Sequence, residues 1–135
     1  MTKPVTIGWR ETVELPDWGL TMMAKADTGA RSSAIDCAEL EILPNDRVRF
    51  TLRLSRKKDQ FKTLEAPIVA RKRVRSSTGQ GQERVYVETR MVMMGREKLI
   101  RISLVCRKKM IHRILLGREA LAGDFLVDCN RSHWV

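Results

Sequence analysis

Asp27-Thr28-Gly29-Ala30 sets an acid, a small hydroxyl, a glycine and a residue without polar side-chain atoms directly after the alternating apolar run Leu20 to Ala26, and Asp-Thr-Gly occurs once in the chain. A carboxylate held at the end of a strand can work with a second carboxyl group. Like charges that close cannot both ionise, so the two share a proton: one activates water while the other protonates a carbonyl oxygen. That chemistry is general acid and base hydrolysis of a peptide or amide bond, with no covalent intermediate. One copy is half of such a site, and a chain of 135 residues is too short to carry both halves. The expectation is a homodimer that contributes one Asp27 from each subunit. Asp-Thr-Gly is also good turn chemistry, in which the acid merely caps a loop.

Other chemistries find less. Nucleophilic catalysis by Cys37, Cys106 or Cys129 needs an adjacent base, and sequence places neither His112 nor His133 beside one. Three cysteines without a Cys-x-x-Cys pair read as buried or incidental thiols rather than a disulfide framework. Cys129 and His133 stand at i and i+4 but bring no further ligands. The chain has no His-Glu-x-x-His pair for zinc and no Gly-x-x-x-x-Gly-Lys-Ser/Thr loop for ATP phosphates. No metal and no cofactor are expected.

The formal net charge is +10, with basic clusters at Arg56-Lys57-Lys58, at Arg71-Lys72-Arg73 with Arg75, and at Arg107-Lys108-Lys109. Three readings fit: solvated turns, attraction of an acidic polypeptide, or docking on RNA. Three Trp, three Phe and one Tyr form no stacking platform between basic residues, so a nucleic-acid partner is not expected. A noncatalytic basic module that docks on an acidic protein or on the ribosome is the alternative to an enzyme. The N-terminus lacks a signal-peptide core, and no run reaches the roughly 18 apolar residues of a membrane span. A cytoplasmic protein without membrane contact is the expectation.

The elements that must position Asp27 are mainly strands. Val48, Phe50, Leu52 and Leu54 alternate with Arg47, Arg49, Thr51 and Arg53, the pattern of a half-buried strand. Val85, Val87, Met91 and Met93 line one face of a longer strand, Gly95 to Lys98 turns the chain, and Ile100, Ile102 and Leu104 return it as a hairpin. Shorter strands are expected at Thr6 to Trp9, Thr12 to Leu15, Leu40 to Leu43, Ile68 to Ala70 and Phe125 to Asp128. Arg118 to Ala122, between Gly117 and Gly123, reads as one short helix. Residues 1–135 are thus expected to form a single mainly β domain, a small closed barrel or a sandwich with one C-terminal helix. Ser76-Ser77-Thr78-Gly79-Gln80-Gly81 is small, polar and glycine-bearing, and should tip a long hairpin.

Three features in order resemble the retropepsin-like aspartic proteases: Lys25 to Ala30, the glycine-tipped hairpin, and Ile114-Leu115-Leu116-Gly117-Arg118 before a helix. Ile7-Gly8-Trp9-Arg10-Glu11, Leu15-Pro16-Asp17, Lys25 to Ala34, Leu115 to Leu121 and Phe125 to Asp128 narrow the resemblance to the bacterial RimB-type group, over Ile7 to Ser132. That group is often labelled an ATP-dependent zinc protease, and its genes are commonly associated with those of glutamate ligases.

The resemblance implies an acid-protease barrel in which Asp27 is the catalytic carboxylate. Thr28 would brace the two loops across the dimer, while Gly29 and Ala30 shape the loop. Leu115, Leu116, Gly117 and Arg118 would support it from beneath. Ser76, Ser77, Thr78, Gly79, Gln80 and Gly81 would form the flap over the substrate, for which glutamate-rich tails are the candidate. Many viral members carry an acid after Asp-Thr-Gly-Ala; here Arg31 stands there, leaving Arg118 to find Asp36, Glu119 or Asp128.

Alanine at position 30 cannot donate a hydrogen bond to the neighbouring carboxylate, whereas serine can, and such a bond favours the ionised form and lowers the pKa. In Ala30→Ser the acid limb of the pH–activity profile should therefore move to lower pH. Superimposable profiles of the two proteins would remove the idea.

Overall fold

Alternation of apolar and polar side chains at period two makes strands of most of this chain. The computed structural model describes residues 3–75, 79, 81–108 and 110–132. In chain order the strands are β1 (Val5–Gly8), β2 (Arg10–Leu15), β3 (Leu20–Ala26), β4 (Ser33–Leu43), β5 (Arg47–Arg53), β6 (Phe61–Pro67), β7 (Ala70–Arg75), β8 (Gly81–Met93), β9 (Arg96–Val105), β10 (Ile114–Leu116) and β11 (Phe125–Asp128). A 3-10 turn, Pro16–Trp18, precedes β3, and α1 (Arg118–Leu121) follows β10. No helix among the described residues is long and apolar enough to cross a membrane.

Neighbours pair in the order β10-β3-β2-β8-β9-β4, and β10 pairs with β4 as well as β3, so these six strands close into a barrel. The expectation of a mainly β, closed retropepsin-like barrel with one short helix holds. β5 and β6 extend the sheet beyond β4, β7 pairs with β8, and β1 and β11 form a separate parallel ribbon. Inside lie Val13, Ile35, Val87, Met91, Ile102, Ile114 and Leu116, each almost fully buried. Under the β5–β6 extension, Phe50 meets Trp18 edge-on at 5.4 Å between ring centroids, so the 3-10 turn is fastened to that hairpin.

Several boundaries differ from the expected ones. The β8–β9 hairpin turns at Met94 and Gly95, both at positive φ, with Met93 already opposite Arg96. That is the tight turn whose twist matches its strands, so Arg96 to Lys98 belong to β9 rather than to the turn. β4 starts at Ser33, well before the expected Leu40. Its first half is buried on both faces, with Asp36 as fully enclosed as Ile35 and Cys37, and this erases the alternation that marks a strand. β6, mostly exposed, was not expected at all. Ile68 and Val69 form a connection, and the strand expected there runs instead through the basic cluster Arg71-Lys72-Arg73 as β7.

Asp36 is a buried anion with matched donors. Arg53 Nη1 donates to both of its oxygens at 2.9 and 2.8 Å, the Arg107 amide donates at 3.0 Å, and the Arg113 guanidinium closes the group. Charge-assisted bonds of this kind make a buried carboxylate tolerable, and together they tie β4, β5 and the segment before β10 into one unit.

Candidate active site

The chain reaches Asp27 along β3, which is clamped on both sides. β2 runs antiparallel to it, with Arg10 opposite Lys25, and β10 runs parallel, with Leu116 opposite Ala26. The Ala26 amide donates to the Trp9 carbonyl and the Asp27 amide to the Leu116 carbonyl, both at 2.8 Å. Ladder bonds thus hold the backbone on each side of the acid. The Gly29 amide donates to Asp27 Oδ1 at 3.0 Å, and the Ala30 amide donates to the Asp27 carbonyl at 3.2 Å. One carboxylate oxygen therefore does cap the turn, as the plain turn-forming role of this motif requires. A Cβ on Gly29 would stand 3.3 Å from that same oxygen, so the glycine leaves the acid its place.

Beneath the turn, β10 and the start of α1 supply the support. The Arg118 amide donates to the Ala30 carbonyl at 2.8 Å, the Glu119 amide to the Arg31 carbonyl at 3.0 Å, and Arg118 Nη1 to the Thr28 carbonyl at 3.1 Å. Gly117 has an ordinary extended backbone, and space alone demands glycine: an added Cβ would stand 2.5 Å from the Ser32 carbonyl oxygen. The Gly117 amide donates to Ser33 Oγ at 3.0 Å, and Ser103 Oγ donates to the Ser33 carbonyl at 3.1 Å.

Asp27, Thr28, Gly29, Ala30, Leu115, Leu116, Gly117 and Arg118 are therefore assembled in one place. Ser32, Ser33 and Ser103 belong to the same assembly and were not singled out; a Ser-Ser pair after the loop was the only signal of the first two, and Ser103 on β9 had none. Arg118 takes none of the three acids considered for it. Asp36 is committed to Arg53 and Arg113, Glu119 pairs with Arg31 at 3.4 Å, and Asp128 accepts from the Asn130 amide. The guanidinium braces backbone instead.

On the expected flap, Gly79 has φ +83° and Gly81 opens β8 opposite Arg75, so a glycine-bearing hairpin does connect β7 to β8. Ser76, Ser77, Thr78 and Gln80 lie outside the described residues, as does His133. Among the described residues, no group of three or more His, Cys, Asp and Glu side chains is arranged to hold a metal ion.

Of two surface features, the first adjoins the loop. A shallow groove of about 290 Å³ runs from Thr28 and Arg118 over Leu121, Phe125 and Leu126, with Leu126 58% exposed. Separately, Arg10, Arg56, His112 and Arg113 line a cleft of about 540 Å³ against Leu20, Met23 and Ile111. Arg10 sits over the Trp9 ring at 5.4 Å, and His112 meets that ring edge-on at 6.0 Å. Burial, then the charges of Arg10, Lys25 and Arg113, hold the His112 pKa below its ordinary value. Of these cations, Arg10 on β2 stands opposite Lys25 on β3, two residues before Asp27. Of the expected basic clusters only Arg56 reaches this site, because its members come from three separate stretches of sequence.

A family model described as retropepsin-like aspartic endopeptidase RimB matches residues 6–134. The probable alpha-L-glutamate ligase of Parasynechococcus marenigrum (strain WH8102) is 29% identical over 138 residues, which cover 98% of this chain and 30% of that protein. The probable alpha-L-glutamate ligase of Shewanella pealeana is 28% identical over 131 residues, covering 93% of this chain and 29% of that protein. The chain thus spans about three tenths of the length of the curated relatives it matches. In fold it is similar to the crystal structure of Lpg0085, a Legionella pneumophila protein of unknown function, with a TM-score of 0.79, 24% identity and 96% of each chain covered.

The Gly117 contact yields a stability test. Gly117→Ala forces a methyl group into the Ser32 backbone and should cost about 3 kcal/mol, read from the urea unfolding midpoint. Gly81→Ala, whose Cβ would meet only Arg73 Nη1 at an ordinary 3.4 Å, should change stability far less. Equal losses at the two positions would refute the packing argument.

Proposed function

The chain belongs to the RimB-like family of retropepsin-like aspartic endopeptidases, and on that premise we propose that it hydrolyses peptide or amide bonds as a homodimer, between two copies of Asp27. The observation that carries this reading is the bracing of the Asp27 loop. Four backbone bonds to β10, α1 and the residue before β2, namely Ala26 to Trp9, Asp27 to Leu116, Arg118 to Ala30 and Glu119 to Arg31, spend a large share of the local hydrogen bonding on one half-exposed acid. A turn that serves only as a turn needs no such scaffold.

In the proposed reaction one Asp27 takes a proton from the bound water. Its counterpart, carrying the shared proton, gives it to the carbonyl oxygen, and the tetrahedral species then collapses with proton return to the leaving amine. The hairpin around Gly79 and Gly81 covers the substrate and excludes solvent. Dimerisation is supported by the apolar groove beside Thr28, with Leu126 exposed, and by the β1–β11 ribbon, which pairs with no further strand among the described residues.

The substrate in this reading is an acidic, glutamate-rich protein tail. The cleft that Arg10, Arg56, His112 and Arg113 line presents the Arg10 and Arg56 cations, and the net charge of +10 draws anions over longer range. Relatives whose names describe glutamate ligases contain a region similar to this chain, which is consistent with a role in glutamate chemistry on proteins.

Asp27→Asn should lower kcat/KM by about three orders of magnitude or more, with fold and oligomer mass unchanged. A variant that retained activity would leave the binding-module reading in place. On the substrate side, the rate ratio for glutamate-rich over neutral peptides should exceed unity at low salt and shrink as salt is added. Arg10→Gln should reduce kcat/KM for the acidic peptide by roughly five- to tenfold and leave the neutral peptide nearly unaffected. A ratio near unity at low ionic strength would discard the acidic substrate without touching the role of Asp27.

A further inference from the structure

Cys37 and Cys106 lie 69 positions apart in sequence, yet their sulfur atoms are 3.7 Å apart. The contact follows from topology. β4 and β9 run parallel with Ser33 opposite Ile102 and Asp36 opposite Val105, so the next step along both chains sets Cys37 beside Cys106. Adjacent strands lie about 4.8 Å apart, inside the roughly 4.4–6.8 Å between Cα atoms that a disulfide spans. β4 also carries an irregularity between Cys37 and Glu39, where the ladder with β5 shifts register, and such a bulge gives the Cys37 backbone local freedom to adjust.

The two thiols have unequal surroundings. Cys37 is fully buried, whereas Cys106 is exposed. A small crevice of about 40 Å³, bordered by Glu83, Arg84 and Arg107, opens on Cys106. Burial, then the neighbouring Cys106, pushes the Cys37 thiol well above the ordinary range. One sulfur is thus open to a small oxidant, and the other is held next to it and shielded.

We propose that Cys37 and Cys106 form an oxidisable dithiol that closes to an intramolecular disulfide when the chain meets hydrogen peroxide. Cys106 sulfur attacks the peroxide O–O bond, giving a sulfenic acid and one water. Cys37 sulfur then attacks the Cys106 sulfur and forms the S–S bond. The sulfenic hydroxyl departs with the Cys37 proton as a second water. Two thiols are oxidised, one peroxide is reduced to two waters, and a dithiol reductant reverses the bond. Arg84 and Arg107 favour the negative charge that develops on the departing oxygen.

The bond has a defined mechanical result. It staples β4 to the chain immediately before Arg107, whose amide binds Asp36, and so fixes one end of the segment that carries His112 and Arg113 into β10. The bond thereby adds a covalent tie to the wall of the basic cleft that Asp36 already holds through Arg107 and Arg113. None of this depends on the proposed hydrolysis.

The test uses the whole chain with Cys129→Ser to remove the remaining exposed thiol. After brief treatment with a slight excess of hydrogen peroxide, denaturing alkylation and peptide mass mapping should recover a Cys37–Cys106 crosslinked pair, 2 Da lighter than the two thiol peptides. The thermal midpoint should rise by roughly 5–15 °C and fall back with dithiothreitol, because the bond closes a long loop in the unfolded chain. Adding Cys37→Ser should divert Cys106 to sulfinic acid, while adding Cys106→Ser should leave Cys37 alkylatable. If the two-cysteine protein instead yields sulfinic acid at Cys106, links only between molecules, or no reaction at either sulfur, the proposal is overturned.

Discussion

Three residues close the barrel. β10 is shared by two strands that come from different parts of the chain and run in opposite senses relative to it: parallel to β3 and antiparallel to β4. Its two inward side chains, Ile114 and Leu116, are each 1% exposed, and burying a side chain of that size is worth about 1.5–3 kcal/mol. Such burial is at least comparable to what three residues of backbone pairing supply. The apolar anchors therefore set where β10 sits, and the ladder sets its direction. With β10 fixed, the Leu116 carbonyl is in place for the Asp27 amide, and the loop acquires its floor.

Both ends of β10 are fixed, by different physics. Upstream, Asp36 is fully enclosed, and removing its charge from water is costly, so it persists only because Arg53, Arg113 and the Arg107 amide surround it. That group holds Arg107 and Arg113 against β4 immediately before Ile114. Downstream, the absence of a side chain at Gly117 lets the chain pass over the Ser32 backbone within a distance no Cβ would tolerate. An electrostatic clamp at one end and a steric gap at the other leave the intervening strand little choice of register, and register here decides where the acid stands.

Much of the site was legible in sequence because its signals are local and ordered. Asp-Thr-Gly after an apolar run, and Ile-Leu-Leu-Gly before a short helix, each declare their own backbone. The assembled structure sets Leu116 opposite Ala26 and the Arg118 amide against Ala30. A strand with one wet face, such as β5, was equally plain. Signals were lost wherever burial ceased to alternate or partners were remote. β4 hides Ser33, Asp36 and Cys37 on both faces, so its first half carried no period. Cys37 and Cys106 are distant in sequence, and only the parallel β4–β9 pairing makes them neighbours. Arg118 was given an acid by analogy with viral relatives. In this chain the carbonyl of Thr28 was nearer, and Asp36 was already spoken for by two arginines.

The proposed dimer and the proposed substrate are coupled through charge. Each copy carries +10, so bringing two together opposes like fields, whereas the apolar groove beside Thr28 favours contact at short range. An acidic tail lying between the subunits offsets part of that repulsion, which makes substrate binding and association mutually reinforcing in the sense of linked equilibria. Added salt then acts in two directions: it relieves repulsion between subunits, and it weakens their pull on the tail. Absolute rates compound both effects. At protein concentrations that saturate the dimer, a ratio of acidic to neutral substrate cancels the first, because both peptides then meet the same population of dimers, and what remains reports on Arg10 and its neighbours.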